Sequence, residues 1–80
     1  MIRSVVIIGS GNLAEALARA VAASPLSLRQ VFGRNRDRVA AVAALSGTVG
    51  ESDPSRLARA DIYLIAVSDA AVAEVASSLP

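Results

Sequence analysis

Val5-Val6-Ile7-Ile8-Gly9-Ser10-Gly11-Asn12-Leu13-Ala14-Glu15-Ala16-Leu17 decides the fold. It reads as an apolar, β-branched strand that runs through a glycine turn into an alanine-rich helix. Gly9, Gly11 and Ala14 stand at the G-x-G-x-x-G/A spacing. In that pattern the first glycine permits a tight turn, and the second lets the backbone approach a pyrophosphate. The small third residue lets the helix pack closely on the strand. The amides of Asn12 and Leu13 then fall in the first helical turn, where unpaired N–H groups and the positive end of the helix dipole attract an anion. By itself the spacing is a weak sign, because turns in many folds use glycine for positive φ. The strand before it and the helix after it supply the context for a phosphate cradle.

Working outward, Ile2 to Ile8 is almost continuously apolar, as a central parallel strand covered on both faces should be. Leu13, Ala16, Leu17, Ala20 and Val21 recur at helical spacing, and Ser24-Pro25 stops that helix. Glu15 and Arg19 form an i, i+4 pair on its other face. Leu28 to Gly33 is a second, less apolar strand, followed by Arg34-Asn35-Arg36-Asp37-Arg38 and a helix marked by Val39, Val42, Ala43 and Ser46. Gly47 is placed as its left-handed cap. Thr48-Val49-Gly50 allows at most a short third strand, and Asp53-Pro54 reads as an N-cap and first residue of a short helix from Pro54 to Ala60. Ile62 to Val67 is the second strong apolar run and the fourth strand. Ser68 and Asp69 cap a last helix with Val72, Val75, Ala76 and Leu79 at helical spacing. Tyr63, inside the fourth strand, reads as a core residue.

This alternation implies an α/β fold: a parallel sheet of spatial order 3-2-1-4 with right-handed crossovers and helices on both faces. Ligands belong outside the carboxyl ends of the first and fourth strands. Eighty residues make one small domain, burying about 60% of the surface of the unfolded chain. That length holds one βαβαβ half of a complete dinucleotide-binding domain and the start of the other. Residues 1–80 are therefore expected to be the N-terminal part of a truncated domain, with a C-terminal substrate and dimerisation domain absent.

All eight basic residues are arginines, and seven acids leave a net charge of +1. This balance does not favour nucleic acid as a partner. The absence of His and Cys removes imidazole and thiolate chemistry and the usual zinc ligands. The apolar run before Gly9 is too short for a signal peptide or a membrane span, so the expected location is cytoplasmic and no membrane partner is expected.

The choice of dinucleotide rests on the end of the second strand. NAD-specific folds place an acidic residue there to accept hydrogen bonds from the ribose 2'-hydroxyl. This chain has Gly33-Arg34-Asn35-Arg36, and its first carboxylate is Asp37 in the helix start. A guanidinium at Arg34 suits a 2'-phosphate, which a carboxylate would repel, so NADP is the expected cofactor. Asn35 either donates its amide to that phosphate or caps the helix, Arg36 either stacks on adenine or faces water, and Arg38 coats the helix surface. Beyond the fourth strand, Ser68 and Asp69 cap a helix, and the backbone of Ala66, Val67 and Ser68 borders the nicotinamide side.

The segments Val5 to Ala14, Gly33-Arg34-Asn35 and Ala60 to Asp69 together resemble the N-terminal domain of the pyrroline carboxylate reductase-like and deazaflavin-dependent NADP oxidoreductase superfamily. The likeness is closest to a branch in which a Rossmann-like domain precedes a helical domain of unknown function. The resemblance implies that Gly9, Ser10, Gly11, Asn12 and Leu13 line the pyrophosphate and that Arg34 and Asn35 meet the 2'-phosphate. It also implies that Ala66, Val67 and Ser68 edge the nicotinamide. Pyrroline carboxylate reductases read A-V-K-P where this chain reads Ala66-Val67-Ser68-Asp69, which argues against proline synthesis. The expectation is the NADP-binding portion of an oxidoreductase acting on an unidentified small molecule, dimeric through the absent domain and without catalytic residues or metal of its own. The alternative is a non-catalytic dinucleotide-sensing module. A methyltransferase is disfavoured because Gly33-Arg34 offers no acid for the ribose of its cofactor.

Overall fold

The computed structural model describes residues 2–66. The Ser68-Asp69 caps, the strand end at Val67 and the helix expected around Val72 to Leu79 lie outside the described residues. Strand β1, Ser4–Ile8, is the centre: Val5, Val6, Ile7 and Ile8 are each 1% exposed or less. Burial of such a side chain contributes about 1.5–3 kcal/mol, so this strand dominates the core. It pairs in parallel with β2, Ser27–Phe32, on one side and β4, Ile62–Ile65, on the other. The two-residue β3, Gly50–Glu51, extends β2, and the sheet order is β3-β2-β1-β4, as expected. The first strand is shorter than expected at its start, with Ile2 52% exposed.

Both helices, α1 (Asn12–Ala22) and α2 (Arg36–Ser46), pack on the face that carries Val5, Ile7 and Val31. In α2 the buried residues are the expected Val39, Val42 and Ala43, and Gly47 closes the helix at φ 71°. The stripe expected on α1 is corrected. The buried residues are Ala14, Ala18 and Val21, with Leu17 half-buried, while Leu13 is 61% exposed and Ala16 and Ala20 face outward. Alanine at 14 and 18 brings the helix close to the sheet, which a leucine there would prevent. The helix ends at Ala22, and the Ser24 hydroxyl donates to the Val21 carbonyl at 2.6 Å.

The opposite face carries Val6, Ile8 and Phe32, covered by Leu57, Ala58, Ala60, Tyr63 and Ile65. A register shift explains how β2 serves both faces. Val5 pairs with Leu28 and Val6 with Gln30, leaving Arg29 as an extra residue. The bulge reverses the alternation, so Leu28 packs toward the helices and Gln30 toward the other side. Gln30 is buried there: its Nε2 donates to the Arg56 carbonyl at 3.1 Å and its Oε1 accepts from Ala58 N–H at 2.9 Å. The Tyr63 hydroxyl donates to the Ala58 carbonyl at 2.8 Å and accepts from Ala60 N–H at 3.2 Å, consistent with its core reading. With these bonds in place residues 57–60 stand outside any helix, and the expected helix from Pro54 to Ala60 is reduced to one 3-10 turn, Pro54–Arg56, capped by Asp53.

The third strand begins later than expected, because Thr48 completes the end of α2. Its N–H donates to Ala43 and its hydroxyl to Leu28. At the amino end of the sheet the Asp61 carboxylate accepts from the N–H groups of Arg3 at 2.8 Å and Ser4 at 3.1 Å, joining β1 to β4.

Two outcomes follow for stability. Gln30→Leu leaves the Arg56 carbonyl and the Ala58 N–H without partners, and thermal unfolding should fall by about 5–15 °C, from about 1–3 kcal/mol of unmet hydrogen bonding. The Asp61 carboxyl is held below the ordinary aspartate range, chiefly by the Arg3 N–H and then by that of Ser4. Its ionised form therefore favours the fold. That contribution is complete above the unfolded value and fades as pH falls through the lower folded one, below about pH 4. Asp61→Ala should flatten this acid limb in pH-dependent unfolding.

Candidate functional site

The four strands end together at one edge of the sheet. Gly9 N–H donates to the Phe32 carbonyl at 2.7 Å, Gly33 N–H to Glu51 at 3.1 Å, and Ala66 N–H to Ile8 at 2.7 Å. At Gly9 the chain turns with φ 135°, a region L side chains rarely adopt. A Cβ there would also collide with the Ala66 carbonyl. Gly9 thus lets β1 turn sharply beside the end of β4, with Ala66 against the turn.

Beyond the turn, Gly11 is the N-cap of α1 with extended backbone, φ −86° and ψ −167°, and no side chain caps the helix. Glu15 N–H bonds to the Gly11 carbonyl at 3.0 Å, which leaves the N–H groups of Asn12, Leu13 and Ala14 at the open end of the helix. A Cβ on Gly11 would meet nothing within 4 Å, so this glycine keeps open space over the helix end rather than avoiding a clash within the fold. By contrast, α2 is capped: the Asn35 Oδ1 accepts from Arg38 N–H at 3.0 Å. Between the alternatives for Asn35 its oxygen takes the capping role, and its amide nitrogen is a donor only.

A groove of about 240 Å³ runs from this helix end along the seam between α1 and α2. Ser10, Gly11, Asn12 and Glu15 line one side, and Arg38, Ala41, Val42 and Leu45 the other. The structure thus brings three of the expected site residues together with Arg38, which the sequence reading had left as surface coat. The spacing 38, 41, 42, 45 carried that signal, as a second helical stripe beside the core one. Arg34 is exposed on the turn that follows β2, and Arg36, the first residue of α2, is exposed as well. Glu15 pairs with Arg19 at 3.4 Å. Gly9 and Leu13 are not among the residues that line the groove, and Leu13 is exposed on α1. Val67 and Ser68 lie outside the described residues.

Among the described residues no three His, Cys, Asp or Glu side chains gather where they could hold a metal ion, and no helix is long and apolar enough to cross a membrane.

The family model for "NADP oxidoreductase coenzyme F420-dependent" matches residues 4–80. The chain belongs to that family. Among solved structures it is similar to the "putative NADP oxidoreductase BF3122" of Bacteroides fragilis, with 26% identity and a TM-score of 0.88 over 98% of this chain. The chain spans 31% of the length of that neighbour. No curated protein matches at a significant level. The NADP oxidoreductase fold therefore agrees with the Rossmann-type sheet, order 3-2-1-4, read from the sequence.

The open helix end of this family member gives a direct test. Aspartate at position 11 suits an N-cap with extended backbone and meets no atom, so Gly11→Asp should leave thermal stability unchanged or raise it by about 1–3 °C. On the reading proposed below, the same carboxylate would repel the phosphates of the cofactor and should weaken dinucleotide binding by about 100-fold or more in calorimetric titration.

Proposed function

We propose that this chain is the NADP-binding portion of an oxidoreductase. The uncapped start of α1, at a turn built from glycine and a small residue and opening on a groove flanked by Arg38, carries the reading. Backbone amides of Asn12, Leu13 and Ala14, with the helix dipole, would hold a pyrophosphate, and Gly9, Ser10 and Gly11 would present bare backbone to it. The ribose end would lie toward the turn after β2, where Arg34, Asn35 and Arg36 stand, with Arg38 on the flank of the groove. The amide nitrogen of Asn35 adds a donor to that set. Ala66, with Val67 and Ser68, would border the nicotinamide half. Bound there, the nicotinamide supplies hydride transfer, and this part of the protein contributes position and charge. The substrate would be a small molecule met by residues elsewhere in a longer chain, since the solved relative is about three times as long.

Support comes from two independent directions. The family description names NADP, and the residues after β2 present guanidinium groups where a carboxylate would favour NAD. Equilibrium titration with NADP and NAD should therefore show tighter binding of NADP. Arg34→Glu should cut that preference by about 10- to 100-fold, the equivalent of one charge-assisted hydrogen bond of about 1.5–3 kcal/mol. Equal affinities in the unsubstituted protein would overturn the proposal.

A further inference from the structure

We infer that Val39 limits what position 33 can carry: its Cγ1 fills the space a side chain there would need, and so bars a carboxylate from position 33 at the end of β2, the place where NAD-specific folds hold one. This rests on the NADP reading above and adds a cause for it inside the fold.

Gly33 is not in the left-handed region; among the described residues only Gly9 and Gly47 have positive φ. Its backbone would suit any residue, so the constraint there is space. A Cβ on Gly33 would lie 2.8 Å from Val39 Cγ1, closer than real contacts allow, and 3.8 Å from the carbonyl carbon of Gly9. A side chain at 33 would thus begin between α2 and the glycine turn, on the flank of the cradle. The Gly33 N–H bond to Glu51 fixes the backbone at that point.

Val39 has little freedom to yield. It is 1% exposed, and a β-branched side chain in a helix strongly prefers one χ1 rotamer. Its main chain is seated on the sheet as well: a Cβ on Gly50 would come within 2.8 Å of the Val39 carbonyl carbon and oxygen. Turning the side chain aside would require lifting the first turn of α2 from β3. Position 33 therefore stays without a side chain, and the residues that follow it on the turn and the first turn of α2 are Arg34, Asn35, Arg36 and Arg38. Cofactor preference is then set twice, by the arginines that are present and by the acid that has no room.

A stability cycle and a binding ratio test this on the full protein that carries the chain. Gly33→Ala should lower the unfolding temperature by about 5 °C or more through overpacking, and adding Val39→Ala should recover part of that loss. Gly33→Asp combined with Val39→Ala should lower the NADP-to-NAD affinity ratio by about tenfold or more, whereas Val39→Ala alone should leave it within about twofold. Additive temperature losses for Gly33→Ala and Val39→Ala would overturn the steric coupling. So would Gly33→Asp alone shifting the ratio as far as the double substitution. An unsubstituted protein that binds NADP and NAD equally would overturn the NADP reading and the cofactor role of Val39, while the stability cycle would still report the contact.

Discussion

The close approach of two backbones at Gly9 and Ala66, where the parallel strands β1 and β4 end side by side, is the constraint on which the site depends. Ile8 and Ala66 remain hydrogen-bonded at 2.7 Å up to the last residue of β1, and the next residue must turn away within van der Waals reach of that same segment. Only a residue without a Cβ can do both. Because β1 is the central strand, this close approach fixes where α1 begins, and with it the direction in which the open N–H groups of α1 point. A side chain at position 9 would displace β4 or the turn, and either movement would shift the helix end from the sheet edge where all four strands finish.

The two helices share a face of the sheet but end differently at the ligand edge, and the difference is informative. Helix α2 satisfies its first turn internally through Asn35, as a helix exposed to water commonly does. Helix α1 has glycine at the equivalent position, with room above it and no capping side chain. With glycine at the N-cap, α1 gives up only about a few tenths of a kcal/mol against a Ser or Asp there. The glycine also leaves the space over the helix end open, which is the feature the proposed anion site uses. Capping Arg38 N–H also orients the Asn35 amide, leaving its nitrogen as a donor beside the arginines of the same turn.

Much of this was legible in the sequence because its signals were of kinds that tertiary contacts rarely override. Four β-branched residues before a glycine turn made β1, and the two apolar runs either side of the second helix gave the strand order. Asn35, Gly47 and Asp53 are all at helix ends, as their side chains or their lack of one require. Helix α1 misled because alanine occurs on every side of it, so periodicity followed the leucines and not the close contact that Ala14 and Ala18 make with the sheet. The bulge at Arg29 carries no local mark, yet it decides that Gln30 faces the second core. Gln30 and Tyr63 in turn hold residues 57–60 out of a helix, a contact made across 28 positions between Gln30 and Ala58 that no window of local sequence contains.

Small residues at the sheet edge have two distinct roles, and separating them shows how the fold leads to the site. Gly9 answers to backbone conformation and a neighbouring strand, while Gly33 and Gly50 answer to the nearness of α2. Together the latter two let the first turn of α2 sit low on β2 and β3, so that Arg38 faces the seam with α1 and the loop of Arg34 to Arg36 rises at the strand ends. Larger residues would raise the helix, carry Arg38 away from Ser10 and Gly11, and open the seam to water. The positive charge near the cradle is therefore placed by the absence of side chains beneath the helix as much as by the arginines on it. A change in charge alone would alter what the groove attracts, whereas a change at Gly33 or Gly50 would alter whether the groove exists.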